Sequence, residues 1–409
     1  MASRLVIYLI MNNIKINFSQ DCIATFNKNS KLYSYLYNSL SKAYFKLEKD
    51  HLNFYLKGDL GLFEHSYPVE YDGSTVYFSV DYTKWVNSIM KFINSETGVN
   101  LEIADKKNSI KLSTDSSSDV ITLSITKYSA DNALITTIES GFSQGRSFKN
   151  NNLALKLNDD IVGDLTLADS LFNPQGNVNS IGVSKEGVIY ADKLIVLTTK
   201  FENELDDSLF KGTLDEDEGR YFMLHQYLIG LINFLYKEND TLYFNDDYST
   251  TYWESDDKAL VMSHPYRELV LPTSEDLLCL YPGDDAKVIV TNKDSLIEGL
   301  DFFNGFYEGS AWKPITFSAA ANKEVVLRYR RPEADLTKTL YGDTDSDGSF
   351  ILSSDSLKKV LSRVRDKRED MTDPLPIEIT FDEDHEGVLF RIGDYCTAFL
   401  AKLIDDSEI

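Results

Sequence analysis

Apolar residues recur along this chain at one particular set of intervals. From Phe350, the steps to Leu352, Leu357, Leu361 and Val364 are two, five, four and three residues. The same steps run through Phe78, Val80, Trp85, Ile89 and Phe92, and again through Tyr221, Met223, Leu228, Ile232 and Leu235. A looser copy runs Ile289, Thr291, Leu296, Leu300, Phe303. A step of two puts two side chains on one face of a strand, and steps of four and three continue one stripe of an α-helix. Each copy therefore predicts a short strand, a turn and an amphipathic helix of about three turns. Asp81 and Asp355 fall near two of the predicted helix starts, where a carboxylate suits free N–H groups and the helix dipole.

Strict alternation follows the helices. Leu101 and Ile103, then Ile110 and Leu112, flank a polar turn; Ile377, Ile379 and Phe381, then Val388 and Phe390, flank an acidic one. Residues 43–63 have the same hairpin character. These are half-buried antiparallel strands. Weaker half-steps at "IKINFSQDCI" and "NLALKLNDDIV", with the one at Ile289, bring the total to six strand–helix–hairpin units. The fold class is α+β: three tandem domains of two units each, at 11–128, 151–273 and 274–409 (with a short C-terminal tail), and a linker at 129–150. Met11 opens a natural strand-forming start, so residues 1–10 read as an extension outside the fold. Each sheet must cover one face with its helices. Six such units build a curved array, helices on the concave side lining a pore and antiparallel sheets outside. Such an array ends in capped edges or closes symmetrically with another copy.

Charge sharpens this picture. The chain has 409 residues, 43% of them hydrophobic, and a formal net charge of −24, which suits packed cores and disfavours a protein that coats nucleic acid on every side. Yet "SLKKVLSRVRDKR", residues 356–368, gathers six Lys or Arg with one Asp. Its Leu357, Val360, Leu361 and Val364 form one apolar stripe, with Lys359 and Arg363 on the far side, flanked by Lys358 and Arg365. Lys84 and Lys91 lie opposite the Trp85/Ile89/Phe92 stripe in the same way, and Lys28 and Lys31 are the candidates in the first unit. "DDIVGDLTLADS" carries no cation, and "LIEGLDFFNG" is acidic and aromatic.

Other chemistries find little support. Cys22, Cys279 and Cys396 are far apart and in no metal spacing, as expected of reduced core thiols in the cytoplasm. No apolar run reaches the roughly 20 residues of a membrane span. The five histidines form no ligand pattern, and no nucleophile motif or phosphate-binding glycine loop occurs. "DTDSDGSFILSS" starts like a calcium loop but has Ser354 at the twelfth position, where a bidentate Glu belongs, and reads as an acidic turn. Carboxylate pairs such as Asp159-Asp160 and Asp206-Asp207 are not singled out from their many neighbours. The expectation is no enzyme, no metal and no cofactor.

Three stretches, "HPYRELVLP" (264–272), "SFILSSDSLKKVLSRV" (349–364) and "GDYCTAFLAKL" (393–403), together with the repeat order, make the chain resemble the DNA sliding clamps of the bacterial β type, in a divergent phage-encoded form. The resemblance spans about residues 11–403. It implies a head-to-tail homodimeric ring around double-stranded DNA that tethers a DNA polymerase and other replication proteins, with a clamp loader as a further partner. The basic residues Lys28, Lys31, Lys84, Lys91, Lys358, Lys359, Arg363 and Arg365 would then face the duplex. The resemblance also implies a pocket for short linear motifs of partners at Lys193, Leu194, Pro265, Val270, Ala398, Phe399, Leu400 and Leu403. Here the chain departs from the family. Ala191-Asp192-Lys193 replaces a Gly-His-basic turn, and Phe399 and Leu400 stand where Met-Pro is favoured. Two other classes compete: a β-rich phage tail or baseplate protein, and a metal-dependent nuclease.

Overall fold

The computed structural model describes every residue except 1–13, 37–41, 59–60, 105–106, 116–117, 152, 172–179, 193–194, 202–209, 212–221, 225, 247–248, 256, 264–281, 284, 307–312, 321–323, 332–333, 345, 369–371, 383–385 and 404–409. All six predicted strand–helix pairs are present. Strand Ile14–Phe18 leads into α1 (Gln20–Leu36), and Val76–Asp81 into α2 (Tyr82–Met90). After α3 (Ala133–Ser147), strand Ala154–Lys156 leads into α4 (Asp159–Leu171), and Phe222–Leu224 into α5 (Gln226–Leu235). Lys287–Asn292 leads into α6 (Lys293–Phe302), and Gly348–Ser353 into α7 (Ser354–Arg363). The apolar stripes are buried as the spacing requires: Phe78, Val80, Trp85, Ile89 and Phe92 in one unit, Phe350, Leu352, Leu357, Leu361 and Val364 in another.

The chain divides into two compact units, 1–156 with 234–265, and 157–233 with 266–409. In the first, antiparallel strands follow in the order Ile14–Phe18, Val99–Ile103, Ser109–Ser113, Val120–Tyr128, Val76–Asp81, Lys42–Leu47, His51–Lys57, Gly61–Pro68, Lys258–Ser263, Thr250–Glu254, Thr241–Phe244 and Ala154–Lys156. Leu101 pairs with Leu112 and Ile103 with Ile110, so the alternation read from the sequence sets the register. In the second unit a nine-stranded sheet runs Phe222–Leu224, Ser180–Val183, Val188–Ala191, Ile195–Thr199, Cys396–Ala401, Gly387–Ile392, Pro376–Phe381, Lys287–Asn292 and Gly342–Thr344. A four-stranded sheet runs Ala334–Leu340, Glu324–Arg331, Pro314–Ala320, Gly348–Ser353.

One local feature differs from the sequence reading. Segment 129–150, expected as a linker, contains the 15-residue helix α3. Asn132 caps it by accepting from the Leu134 N–H, and Ile138, Phe142 and the following Phe148 pack with Tyr55, Tyr252 and Ala259. Gly145 permits this approach, because a Cβ there would lie 2.6 Å from the Tyr252 ring. Both carboxylates named at helix starts are found there. Asp81 caps α2 as expected, but the cap of α7 is Ser353, which accepts from Ser356 N–H; Asp355 lies inside the helix and pairs with Lys313 at 3.0 Å.

A repeated joint organises both units. Strand Gly61–Pro68 of the first repeat pairs edge to edge with Lys258–Ser263, and Ile195–Thr199 pairs with Cys396–Ala401 in the same antiparallel way. At the first joint, His65 is 1% exposed and its Nε2 lies 3.2 Å from Asp257 Oδ2. Burial lowers the His65 pKa, against the pull of Asp257, with Lys258 and Lys237 adding to the lowering. For Asp257 burial acts upward, but the hydrogen bonds and charges of His65 and Lys258 outweigh it and hold the carboxyl below its usual range. A histidine kept neutral by the fold contributes stability that is complete above its unfolded pKa of about 6.5 and declines as pH falls through that value. The melting temperature is expected to drop between about pH 7 and pH 5.5, and the His65→Gln variant to lose that part of the pH dependence. Thermal melts across this range check it; an unchanged slope in the variant would place the titration elsewhere.

Candidate nucleic-acid interface

In the first unit the cations sit on the helix faces turned away from the core. Trp85 and Ile89 of α2 are buried, whereas Lys84 and Lys91 are exposed, as is Lys28 of α1. Lys91 occupies the C-cap of α2, where the helix dipole favours positive charge. None of the three has an ion pair among the described residues. The side chain of Lys31 lies outside them.

The second unit sorts its cations more finely. Helix α7 packs against both α4 and α6, and these neighbours are acidic. Of the six cations in 356–368, three are bound to carboxylates. Lys358 donates to Asp301 of α6. Lys367 donates to Asp160 at 2.6 Å and Asp164 at 3.2 Å, both on α4, and to the Lys200 carbonyl at 3.4 Å. Arg368 grips Asp366 with two nitrogens, at 2.9 and 2.6 Å. Lys359, Arg363 and Arg365 are exposed and carry no ion pair among the described residues. Arg365 lies along α4, close enough that a Cβ on Gly163 would be 3.1 Å from its guanidinium. The helix itself ends at Arg363, with Val364 as an extended C-cap whose carbonyl accepts from Lys293 Nζ at 2.7 Å.

The sequence therefore names Lys359, Arg363 and Arg365 as exposed cations, and the structure leaves them so. It engages Lys358 with Asp301. It also adds a role the sequence reading missed, that of Lys367 as the partner of a buried carboxylate. Asp164 is 5% exposed; burial pushes its pKa up, while Lys367 and a hydrogen bond from Thr199 oppose the rise. The only sequence signal was position, because Lys367 falls three residues past the cap, off the helical stripe.

The residues expected to form a partner pocket are less fully described. Ala398, Phe399 and Leu400 are buried in strand Cys396–Ala401, between Ile195–Thr199 and Gly387–Ile392. Leu403 is half-buried, and its N–H donates to the Ile351 carbonyl at 2.9 Å. Lys193, Leu194, Pro265 and Val270 lie outside the described residues.

No protein-family model and no curated protein matches the sequence. Solved structures do match in fold. The DNA polymerase III subunit beta of Pseudomonas aeruginosa aligns with a TM-score of 0.70 at 10% identity, over 96% of this chain and 100% of that one. The C. crescentus beta sliding clamp gives 0.70 at 11% identity over the same shares. A Helicobacter pylori beta clamp bound to a DNA ligase peptide gives 0.68 at 10%, again over 96% and 100%. The chain thus has the fold of the DNA polymerase III beta sliding clamps along nearly its whole length, as the repeat order in the sequence implies.

Removing one partner of a buried ion pair leaves an uncompensated charge and costs about 3 kcal/mol. Lys367→Met is expected to destabilise by that order, and the Lys367→Met/Asp164→Asn double variant to recover most of the loss in denaturant titrations. A double variant no more stable than the single one would contradict this role for Lys367.

Proposed function

We propose that this protein is a DNA polymerase processivity factor: a sliding clamp that closes as a head-to-tail homodimer around duplex DNA and does no covalent chemistry itself. The observation that carries the reading is the set of exposed cations opposite buried apolar stripes, Lys28, Lys84 and Lys91 in one unit and Lys359, Arg363 and Arg365 in the other, on a chain of net charge −24. A topological tether needs contacts to phosphate that are weak, blind to sequence and quickly exchanged, and a few unpaired Lys and Arg supply them. The negative charge elsewhere repels DNA from the other surfaces and favours it at the cations.

The joints between repeats support closure with a second copy. Each joint pairs the third strand after the first helix of one repeat with the last strand of the next repeat. By the same rule two strands lack their partner among the described residues: Ala334–Leu340 is an edge of its sheet, and in Val120–Tyr128 the stretch 120–124 pairs there only with Ser109–Ser113. Exposed apolar residues stand beside both, Phe302 and Tyr341 near the first and Val120 on the second. Antiparallel pairing of these edges between two copies would close the ring at both ends.

The tethered partners, a polymerase and other replication proteins, would dock short linear motifs at strand Cys396–Ala401, with the half-buried Leu403 and with Lys193, Leu194, Pro265 and Val270 completing the pocket. A Helicobacter pylori beta clamp bound to a DNA ligase peptide is the precedent for a clamp of this fold holding a peptide of another protein. A clamp loader is the further partner this reading calls for, and the host cytoplasm the place of work if the chain is phage-encoded.

Retention on nicked circular plasmid, compared before and after linearisation, tests the proposal. The protein should stay on circles at salt that strips it from linear DNA. The Lys359→Glu/Arg363→Glu/Arg365→Glu variant should be retained less, its salt slope shallower by roughly 0.9 per lost phosphate contact, whereas Lys358→Ala should change little. Equal retention on circular and linear DNA would refute topological tethering.

A further inference from the structure

The first and third repeats share one plan, and they differ at one edge. In the second unit, strand Lys287–Asn292 is followed by α6, then by strands Pro314–Ala320, Glu324–Arg331 and Ala334–Leu340. The chain next forms Gly342–Thr344, which adds to the outer edge of Lys287–Asn292: Ile289 faces Thr344, Val290 faces Asp343 and Thr291 faces Gly342. Thr344 Oγ1 fixes the addition by donating to the Val288 carbonyl at 2.9 Å. In the first unit the corresponding elements are Ile14–Phe18, α1, and strands Lys42–Leu47, His51–Lys57 and Gly61–Pro68. The segment that should then turn back onto Ile14–Phe18 does not. Its Val69 and Tyr71 N–H groups donate instead to the carbonyls of Asp50 and Lys49, both at 3.0 Å.

The consequence is an open edge. Strand Ile14–Phe18 ends its sheet, paired only with Val99–Ile103 among the described residues. Between it and Pro68–Glu70 lies a groove of about 900 Å³, into which Lys15, Ile16, Asn17 and Ser19 project or present backbone. Counted from the helix starts, Ile16–Phe18 correspond to Ile289–Thr291, so the groove lies where the third repeat carries its added strand. An open edge presents alternate N–H and C=O groups that another extended chain can satisfy.

We propose that this groove binds an extended segment of a partner protein as an added antiparallel strand along Ile16–Phe18, with Lys or Arg at its outward positions. The charge of the lining sets that chemistry. The carboxylates Asp50, Glu70, Glu102 and Asp115 outnumber Lys15 and Lys111. In the antiparallel register, a residue opposite Asn17 projects on the same face as Asn17 and Asn100, which pair across the strands; Asn100 in turn donates to Asp115 at 2.7 Å. A basic side chain there meets carboxylates. The residues on either side of it point inward, where the third repeat has Thr344 and Gly342, so small side chains suit those places. The site lies wholly within the first unit and does not depend on ring closure or on DNA.

The test uses the full chain and a fluorescein-labelled peptide of alternating Thr and Lys, with an alternating Thr-Glu peptide as control, read by anisotropy and by amide hydrogen exchange. The basic peptide should bind and slow exchange within Ile14–Phe18, while exchange in Lys287–Asn292, whose edge is already filled, stays as it was. Reversal of Asp50, Glu70 and Asp115 to Lys should weaken binding about tenfold, a change of about 1.4 kcal/mol. Lys15→Glu/Lys111→Glu should tighten it, which guards against reading lost folding as lost binding. Absence of binding, binding indifferent to both sets of variants, or binding without protection of Ile14–Phe18 would each overturn the proposal. The last outcome would mean that the peptide merely adsorbs by charge.

Discussion

An antiparallel strand at the edge of a sheet leaves half its backbone groups without a protein partner, and this architecture is organised by where those edges go. Within one unit the edge of Gly61–Pro68 is met by Lys258–Ser263, and within the other the edge of Ile195–Thr199 is met by Cys396–Ala401. Both seams bury apolar residues beside the hydrogen bonds, such as Phe63 against Leu260 and Leu197 against Ala398. Backbone pairing carries little sequence information of its own, so a duplicated unit can reuse it while its side chains diverge. That is how a chain only 10% identical to known clamps over 96% of its length keeps their fold. Among the edges the described strands leave, Ala334–Leu340 and 120–124 are taken up by ring closure in the proposed assembly, and that of Ile14–Phe18 opens into a groove.

Charge is arranged with similar economy. Helix α7 lies between two acidic helices, and each neighbour holds one of its flanking cations: Asp301 holds Lys358, while Asp160 and Asp164 hold Lys367. What remains exposed is a short ridge of Lys359, Arg363 and Arg365 with carboxylates on both sides. Such a ridge suits a ligand that must be held loosely and allowed to move, because the surrounding negative charge shortens the reach of the attraction. The ion pair at Lys367 has a different task, since Asp164 is buried where an unpartnered carboxylate is costly.

The strands and helices were legible because periodicity reports burial directly. Phe78 to Phe92 and Phe350 to Val364 reach the core at the spacing that predicted them, and the alternation at Leu101 and Leu112 fixed a register. Helix α3 was hidden because its sequence is rich in Thr, Ser and Gly. Those residues weaken helix propensity, and here small size is what lets Gly145 approach Tyr252. Asp355 stands in the first turn of α7 as its position suggests. The capping residue itself, Ser353, was not singled out, because Ser353, Ser354 and Asp355 are all able to cap and the backbone geometry decides. Which of six clustered cations would be neutralised was not readable at all. It depends on Asp160 and Asp164 of α4, 207 and 203 residues before Lys367, and on Asp301 of α6, none of which any local pattern connects to these cations.

Averaged electron micrographs of the intact protein would weigh the central claim, that edge pairing between copies closes the array around a duplex, more directly than any variant. The account predicts an annular particle of two chains, twice 46.5 kDa, with a hole wide enough to pass a DNA duplex and both seams between copies formed by Ala334–Leu340 against 120–124. An open particle, a ring of another copy number, or a hole too narrow for a duplex would contradict it.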